Sequence, residues 1–414
     1  MSAQPNPADA PDAPVESVAA ALRDAPFVRV VCRADGDALA AGGLVARTLR
    51  RVGVPFHVRA VAFPEEAVAS SADDSEGEPT VGGSADDVLL SVGTRIPGAD
   101  ATIAPGDGTA SLRAHGVAEA LTPEGESGPD PLLALAGVVA AGEHPGAADG
   151  GLLTVAERTG AVERRPGIAA PVADIADGLA HSTLAHASFS GDREAATAAL
   201  AGTDLPAELD ADGHRTVASV LALDVAGDDD ATPRAAEAVE RALRPYATPN
   251  ATFATLGGFA DVLDAVARER PGTGVALALG HDARVPALDA WRDHAVAVHA
   301  GVREAHTGRY EGVFVVRAND GTADSVGRLA TVARLVRDFR SPEPLVLVVG
   351  DGLAAAAAVK RGAADAMSAV TEEFGGGVDA DDGAWDGDAK RAVARFDADA
   401  EEAEVIAAVR EAST

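Results

Sequence analysis

Residues 27–63 restrict the fold more than any other part of the chain. An apolar run, FVRVVC (27–32), breaks at the polar loop RADGD. A helix-forming stretch rich in small residues follows from about Ala38 to Arg51, and then a second strand-like run, FHVRAVAF (56–63). Strand, helix and strand in that order make a βαβ unit. Two strands joined through a helix must lie parallel in one sheet, with the helix covering a face. An acidic, Ser- and Gly-rich stretch (64–87) reads as a surface loop, and two further short apolar runs follow it, VLLSV (88–92) and ATIA (101–104), each ending in Gly- or Pro-rich sequence.

The pattern then turns helical, at about 131–142, through most of 152–202 and over roughly 211–222, until GDDDATPR (227–234) breaks it. Beyond the break it restarts as helix FADVLDAVARER, strand VALALG (275–280), a helix near 286–293, and strands HAVAVHA (294–300) and GVFVVRA (312–318). Helix SVGRLATVARLVRDF and strand PLVLVVG (344–350) follow. A long helix at 353–373, three glycines (375–377), a strand at RAVARFDA and a last helix complete the chain. The expected organisation is a Pro- and acid-rich tail at 1–16, an α/β domain with a parallel sheet at 17–226, a linker at 227–250 and a smaller α/β domain at 251–414. No repeat of solenoid period is present.

Charge sets the working environment. The 414 residues carry 65 acids against 34 Lys and Arg, a formal charge of −31. Lys360 and Lys390 are the only lysines, and aromatics make up 3%. Acids spread along segments that keep strand and helix patterns point to a halophile's protein, since in molar salt the Debye length of about 3 Å screens self-repulsion. Net negative charge ordinarily argues against nucleic-acid binding, but in a salt-adapted chain only local Arg and Lys positions are informative. The lone Cys32 excludes an internal disulfide and a multi-cysteine metal site, and no apolar run approaches the ~20 residues of a membrane span. A soluble, cytoplasmic protein is expected.

The loop Arg33-Ala-Asp35-Gly-Asp37 lies at the carboxyl end of the first strand, the edge where open α/β sheets bind ligands. Two carboxylates one residue apart suit a hard cation such as Mn²⁺ or Mg²⁺. They also suit an ordinary helix start, with Asp37 as the cap and Asp35 solvated.

The stretch FVRVVCRADGDALAAGGLVARTLRRVGVPFHVRA resembles the first motif of the DHH phosphoesterase superfamily, nearest the RecJ-like nucleases, in which a strand runs into His-x-Asp-x-Asp and a helix of small residues. Asp35 and Asp37 stand at the aspartate positions and Arg33 at the histidine, replacing a metal ligand with a permanent cation. By the resemblance, Ser91 takes the place of the second-motif Asp. Asp107 is all that remains where the Asp-His-His belongs, and Glu143, beside His144, stands in for the fourth-motif Asp. The metal candidates implied are Asp35, Asp37, Asp107 and Glu143.

The C-terminal half resembles the DHH-associated domain, whose Gly-Gly-Gly-His turn and an upstream basic residue hold the nucleic-acid backbone. Gly375, Gly376 and Gly377 supply the glycines, Val378 replaces the His, and Lys360 and Arg361 stand at the basic position. With Arg33 these are the nucleic-acid candidates. The family cleaves phosphodiester or phosphoanhydride bonds with Mn²⁺ or Mg²⁺. A second branch, including the cell-division-cycle factor that activates the eukaryotic replicative helicase, keeps the fold without the catalytic residues, and archaeal RecJ-like proteins associate with GINS and the MCM helicase.

Loss of every expected histidine points to that second branch: a scaffold of DNA replication or repair that binds single-stranded DNA or replication factors. The alternative is a Mn- or Mg-dependent single-strand exonuclease or phosphoesterase. A third reading, a nucleotide-binding oxidoreductase, rests on Gly350-Asp-Gly352-Leu-Ala-Ala, which follows a strand and is expected to open a helix. His181 and His186, five apart, and the buried Cys32 read as structural.

Overall fold

The βαβ unit of residues 27–63 opens a four-stranded parallel sheet. The computed structural model describes residues 14–73, 86–104, 108–146, 151–203, 205–206, 208–243, 245–375 and 383–413. Its N-terminal elements are α1 (Val15–Arg23), β1 (Val28–Arg33), α2 (Gly36–Val52), β2 (Phe56–Val61), α3 (Pro64–Asp73), β3 (Val88–Val92), β4 (Ala101–Ile103), α4 (Ala110–Leu121), α5 (Pro131–Ala140) and α6 (Leu152–Arg158).

Strand β1 lies between β2 and β3, parallel to both, from Val28↔Phe56 to Arg33↔Val61 on one side and Val28↔Val88 to Cys32↔Val92 on the other. The order β2-β1-β3-β4 reverses direction between β1 and β3. At such a switch point the loops after the two strands diverge and leave a crevice at their carboxyl ends. Asp35 starts α2 by accepting the Ala38 N–H at 2.8 Å, and Gly53, at φ 81°, ends it in the left-handed region. Small residues let α2 lie close to its neighbours. Gly42 faces the Cys32 sulfur on β1, and a Cβ on Gly43 would come within 2.7 Å of the Ala278 carbonyl. On the other face of the sheet, Val31 and Leu89 pack with Ile96, Val61 and Val68 of α3.

The chain continues as β5 (Glu163–Arg164), α7 (Ile175–His181), α8 (Arg193–Ala201), α9 (Ala211–Gly227), α10 (Pro233–Val239), β6 (Tyr246–Ala247), α11 (Leu256–Glu269), α12 (Pro271–Ala278) and α13 (Arg284–Arg303). Last come β7 (His306–Tyr310), β8 (Val313–Arg317), α14 (Val326–Phe339), β9 (Leu345–Val349), β10 (Leu353–Ala358), α15 (Ala363–Phe374), β11 (Ala384–Gly387), β12 (Arg391–Arg395) and α16 (Glu402–Ala412). The backbone divides into two compact units. The first is Met1–Val162 with Asn250–Thr252 and Val262–Ala290, and the second is Glu163–Pro249 with Phe253–Asp261 and Trp291–Thr414.

The second unit holds a six-stranded sheet of order β11-β12-β10-β9-β8-β7, in which only β8 and β9 are parallel neighbours. Alternation along the strands builds two cores. Val346, Val348, Ala355 and Ala357 meet Leu329, Val332 and Val336 of α14. Leu345, Leu347, Ala354 and Ala356 meet Met367 and Val370 of α15 and Val405 and Val409 of α16.

Several elements differ from the sequence expectation. The run LAAAAA, helical by propensity, is strand β10, antiparallel to β9 and β12. Gly352, at φ 63°, reverses the chain into a hairpin, and alanine fits because both faces of the strand are covered. Residues 275–280 lie in α12 and its end, and 294–300 lie inside α13. The alternation of HAVAVHA is a short-window coincidence. Over the longer segment the buried positions are Trp291, Ala295, Val298 and Val302, at helical spacing, while Val296 is exposed. Residues 64–73 form α3 rather than loop, and α1 begins at Val15, inside the segment read as a tail. The stretch 227–250 carries α10 and β6.

Candidate functional site

Each oxygen of the two loop aspartates has a partner within the protein. Asp35 Oδ1 caps α2, while Oδ2 receives Arg33 Nε at 2.6 Å. Asp37, 7% exposed, accepts the Ala110 N–H on Oδ2 at 2.8 Å and the Ser111 N–H on Oδ1 at 2.9 Å. It therefore closes the N-terminus of α4, where orphan N–H groups and the helix dipole favour a carboxylate. The helix-start reading of this loop holds with the roles exchanged. Asp35 caps α2, and Asp37 is buried on a helix that begins 73 residues later. Burial, with the charge of Asp35, pushes the Asp37 carboxyl up to about 6 against the opposing pull of Ser111 and Ala110.

A second carboxylate joins the loop from α11. Asp264 Oδ1 accepts the Gly36 N–H at 3.1 Å, and Arg268 grips the same carboxylate through Nη2 at 3.0 Å and Nε at 3.2 Å. Burial works against the Arg268 charge, yet Asp264 and the more distant Asp35 hold its guanidinium above the usual range. No motif marked Asp264 or Arg268 in the sequence. Their i,i+4 spacing in a helix was the only available signal. Around Gly36 the packing is close: a Cβ there would stand 2.7 Å from Ala140 Cβ and 2.9 Å from the Asp264 nitrogen. Gly93, at φ 84°, brings the end of β3 against Arg33 and Ala38.

The implied metal set is only partly assembled. Asp35 and Asp37 share the loop. The end of α5 abuts Gly36 through Ala140, which places the Glu143 backbone three residues beyond that contact, and Glu143 itself is exposed. Asp107 lies outside the described residues. Ser91 is buried in β3, hydrogen-bonded to Thr102 across to β4 at 2.9 Å. The described donors do not suit a divalent ion: Asp35 is already neutralised by a guanidinium, and Asp37 is held by two N–H groups. Among the described residues no cluster of three or more His, Cys, Asp or Glu is arranged to hold a metal. Cys32 is packed under α2, with its thiol pushed up to about 12 by burial, and is no nucleophile.

In the second unit, Lys360 and Arg361 are exposed on the turn between β10 and α15. Gly375 ends α15, and a Cβ there would lie 3.0 Å from Gly383 Cα. Gly376, Gly377 and Val378 lie outside the described residues. Gly350 and Gly352 turn a β-hairpin instead of opening a helix, so no helix N-terminus faces a pyrophosphate there. That removes the basis of the oxidoreductase reading.

The second unit also has a buried polar core that the sequence did not reveal. Asp261 accepts the Thr183 N–H at 3.0 Å, the Thr183 hydroxyl at 2.6 Å and the Trp291 Nε1–H at 2.7 Å. Arg334 donates to the Thr183 carbonyl at 3.0 Å. His186 and His299 stack with their Nδ1 atoms 3.0 Å apart, and His299 Nε2 lies 3.1 Å from the Ser182 carbonyl. Since that carbonyl can only accept, His299 carries its proton on Nε2 and its Nδ1 receives the His186 proton. Asp177 binds both His181 and Arg292. These contacts make His181 and His186 structural.

The architecture has counterparts among solved structures. Cdc45 from Entamoeba histolytica matches at a TM-score of 0.55 over 96% of this chain and 97% of its own, with 7% identity. RecJ from Thermus thermophilus, solved in complex with Mg²⁺, matches at 0.45 with 15% identity over 96% of this chain, which spans about half (52%) of that protein. The α/β fold expected from the sequence is observed, and it is shared with Cdc45. No described helix is long and apolar enough to cross a membrane. Residues 305–411 match the family model described as uncharacterized protein rrnAC1427, C-terminal domain. The full-length protein of that name from Haloarcula marismortui is 45% identical over 414 residues, covering 99% of this chain and 98% of its own. Agreement at that level over nearly the whole of both sequences places the chain in the rrnAC1427 family.

Proposed function

We propose that the protein is a RecJ-like scaffold of DNA replication or repair that binds single-stranded DNA or replication factors and has given up hydrolysis. The observation that carries this reading is the Arg33–Asp35 ion pair at 2.6 Å. A metal ligand's position in the motif is taken by a cation, and that cation sits on the carboxylate a metal would need. Asp37, turned onto the N-terminus of α4, supports the same reading, because two-metal hydrolysis requires a bridging carboxylate with open lone pairs. The fold likeness to Cdc45 suits a non-hydrolytic role, with helicase-associated proteins such as GINS and MCM as partners. Acidic composition and a relative from Haloarcula fit work in concentrated salt inside the cell.

The test is purified protein in molar KCl with a 5′-labelled single-stranded oligonucleotide, with and without Mn²⁺. Retention of the oligonucleotide with no shortening is expected, and Asp35→Asn should leave that result unchanged. Mn²⁺-dependent shortening that vanishes in Asp35→Asn would establish the alternative, an exonuclease or phosphoesterase. Absence of any binding to DNA or to GINS and MCM proteins would end the scaffold reading.

A further inference from the structure

Strand β7 ends the six-stranded sheet, and one side of its backbone has no neighbour in that sheet. The turn Glu311-Gly312, with Gly312 at φ 83°, is two residues long and joins Tyr310 to Val313 as the closing pair of the β7–β8 hairpin. Inward and outward backbone groups alternate from there along an antiparallel ladder, so Tyr310, Gly308 and His306 point their N–H and C=O groups at β8. Thr307 and Arg309 point theirs outward. Both residues are exposed, and no backbone bond joins either to a described residue outside the hairpin.

Edge strands ordinarily carry a guard against further pairing, such as lysine, proline or a bulge. His306–Tyr310 has none of these: its register with β8 is continuous, and neither lysine nor proline occurs in it. The guanidinium of Arg309 is held by Glu343, in the segment leading to β9, and Glu343 also accepts the Gly312 N–H at 3.2 Å. That pair draws the charge back toward the sheet instead of over its edge.

The spacing of the edge decides what fits it. Thr307 and Arg309 each present a donor and an acceptor, two residues apart on an extended chain. An antiparallel strand with the same arrangement satisfies all of them. A second copy of β7 supplies it, and its two-fold registers are not equivalent. Centred on Thr307, the pairing sets Arg309 against Ala305, which precedes the strand. Centred on Arg309, it sets guanidinium against guanidinium, and like charges directly opposite are destabilising. Centred on Gly308, Thr307 faces Arg309 of the other copy and His306 faces its Tyr310. Both outward residues of each copy are then paired, and no like charges are directly opposed. Repulsion between two chains of net charge −31 is screened in molar salt, where the Debye length is about 3 Å.

We propose that two copies of this chain pair antiparallel through β7 about Gly308, joining their six-stranded sheets across a two-fold axis. The pairing goes beyond the role in DNA replication or repair and does not depend on it.

Sedimentation equilibrium of the intact protein in molar KCl is expected to give twice the chain's mass. Thr307→Pro removes an outward N–H from each copy and leaves the β8 ladder whole, since the open side of an edge strand tolerates proline. Its dimer should dissociate at a concentration at least about tenfold higher, with the far-ultraviolet circular dichroism unchanged. Gly308→Cys reads the register independently. A Cβ there meets only the Tyr310 ring, at 3.2 Å, and Cys32, the native thiol, is buried. At the two-fold axis the Cα atoms stand about 4.5 Å apart, within the span of a disulfide, so mild oxidation should link the two copies. Thr307→Cys should stay unlinked, because its two copies are offset along the strands beyond the ~7 Å limit.

A monomer at every concentration overturns the proposal and leaves the edge to a strand of another protein. A dimer that survives Thr307→Pro and yields no disulfide in Gly308→Cys overturns it as well. Linkage in Thr307→Cys but not in Gly308→Cys overturns the register.

Discussion

Asp37 holds Ser111 by its backbone: Oδ1 accepts the Ser111 N–H at 2.9 Å while Oδ2 takes the neighbouring Ala110 N–H at 2.8 Å. The resemblance implies a metal ligand at that aspartate. Here it joins the loop after β1 to the start of α4 and has become part of the core, so its contribution is to stability and to the pH dependence of stability.

Asp37 titrates at about 6 in the fold against an ordinary 3.8. A carboxyl raised in the folded state binds its proton more tightly there. The stabilisation it gives is complete below pH 3.8 and is lost as pH rises through about 6, a difference of roughly 3 kcal/mol. Asp37→Asn, which cannot ionise, should lack this loss. Chemical denaturation in molar KCl at pH 4 and pH 7 should show the wild type falling relative to the variant by that order. Parallel behaviour of the two proteins would place the Asp37 carboxylate in a more polar setting than its burial indicates.

The histidine pair of the second unit acts in the opposite direction. His299 is depressed to about 3 and His186 lies well below 6.5, chiefly through burial, with His299, Arg340 and Arg303 adding to the effect on His186. A depressed base stabilises the fold above pH 6.5, and that stability is lost as pH falls from there through the folded value. For His299 alone the loss reaches roughly 5 kcal/mol. The loss from His186 and His299 on acidification from pH 6.5 to 4 runs against a gain from the raised carboxyls of Asp37 and Asp261, and the pair contributes a decline over that range. His299→Gln should flatten that decline, and an acid limb of unchanged steepness in the variant would remove the pair as its cause.

The first strands were legible because β1, α2 and β2 are contiguous and each carries its own signal: apolar runs, the Asp35 cap and the Gly53 stop. The fate of Asp37 was not, since its partners are backbone groups 73 and 74 residues away and no side-chain pattern announces an orphan N–H. Local propensity also misled at Leu353–Ala358, where cover on both faces of a central strand overrides the helical preference of alanine. Asp264 and Arg268 reach the loop only through the fold.

Asp261 should be intolerant of an apolar side chain of its own shape. Its oxygens face only donors, two from Thr183 and one from Trp291. Asp261→Leu leaves all three donors unpaired and costs about 3 kcal/mol. In a Trp385→Phe background Trp291 is the sole tryptophan, so its emission reports the site directly. The expected result is a lower denaturation midpoint with a shifted Trp291 spectrum. An unshifted spectrum with full stability would mean that the Trp291–Asp261 bond is dispensable.

Arg33 decides whether the loop accepts a metal. Its guanidinium lies 2.6 Å from Asp35, and a divalent ion entering there would meet a fixed positive charge before reaching a free lone pair. Removing the cation in Arg33→Ala, or exchanging it for a ligand in Arg33→His, leaves Asp35 holding only the Ala38 N–H. Wild-type protein should leave the electron paramagnetic resonance signal of Mn²⁺ at its free-ion amplitude, while both variants should attenuate it through weak uptake of one ion. Neither variant should cut a labelled single strand, because Asp37 remains bound to Ala110 and Ser111 and one carboxylate is too few to hold a metal pair about 4 Å apart. Stoichiometric uptake of Mn²⁺ by the wild type would show that Arg33 yields to a metal, and the pair would then be a latch over a working site.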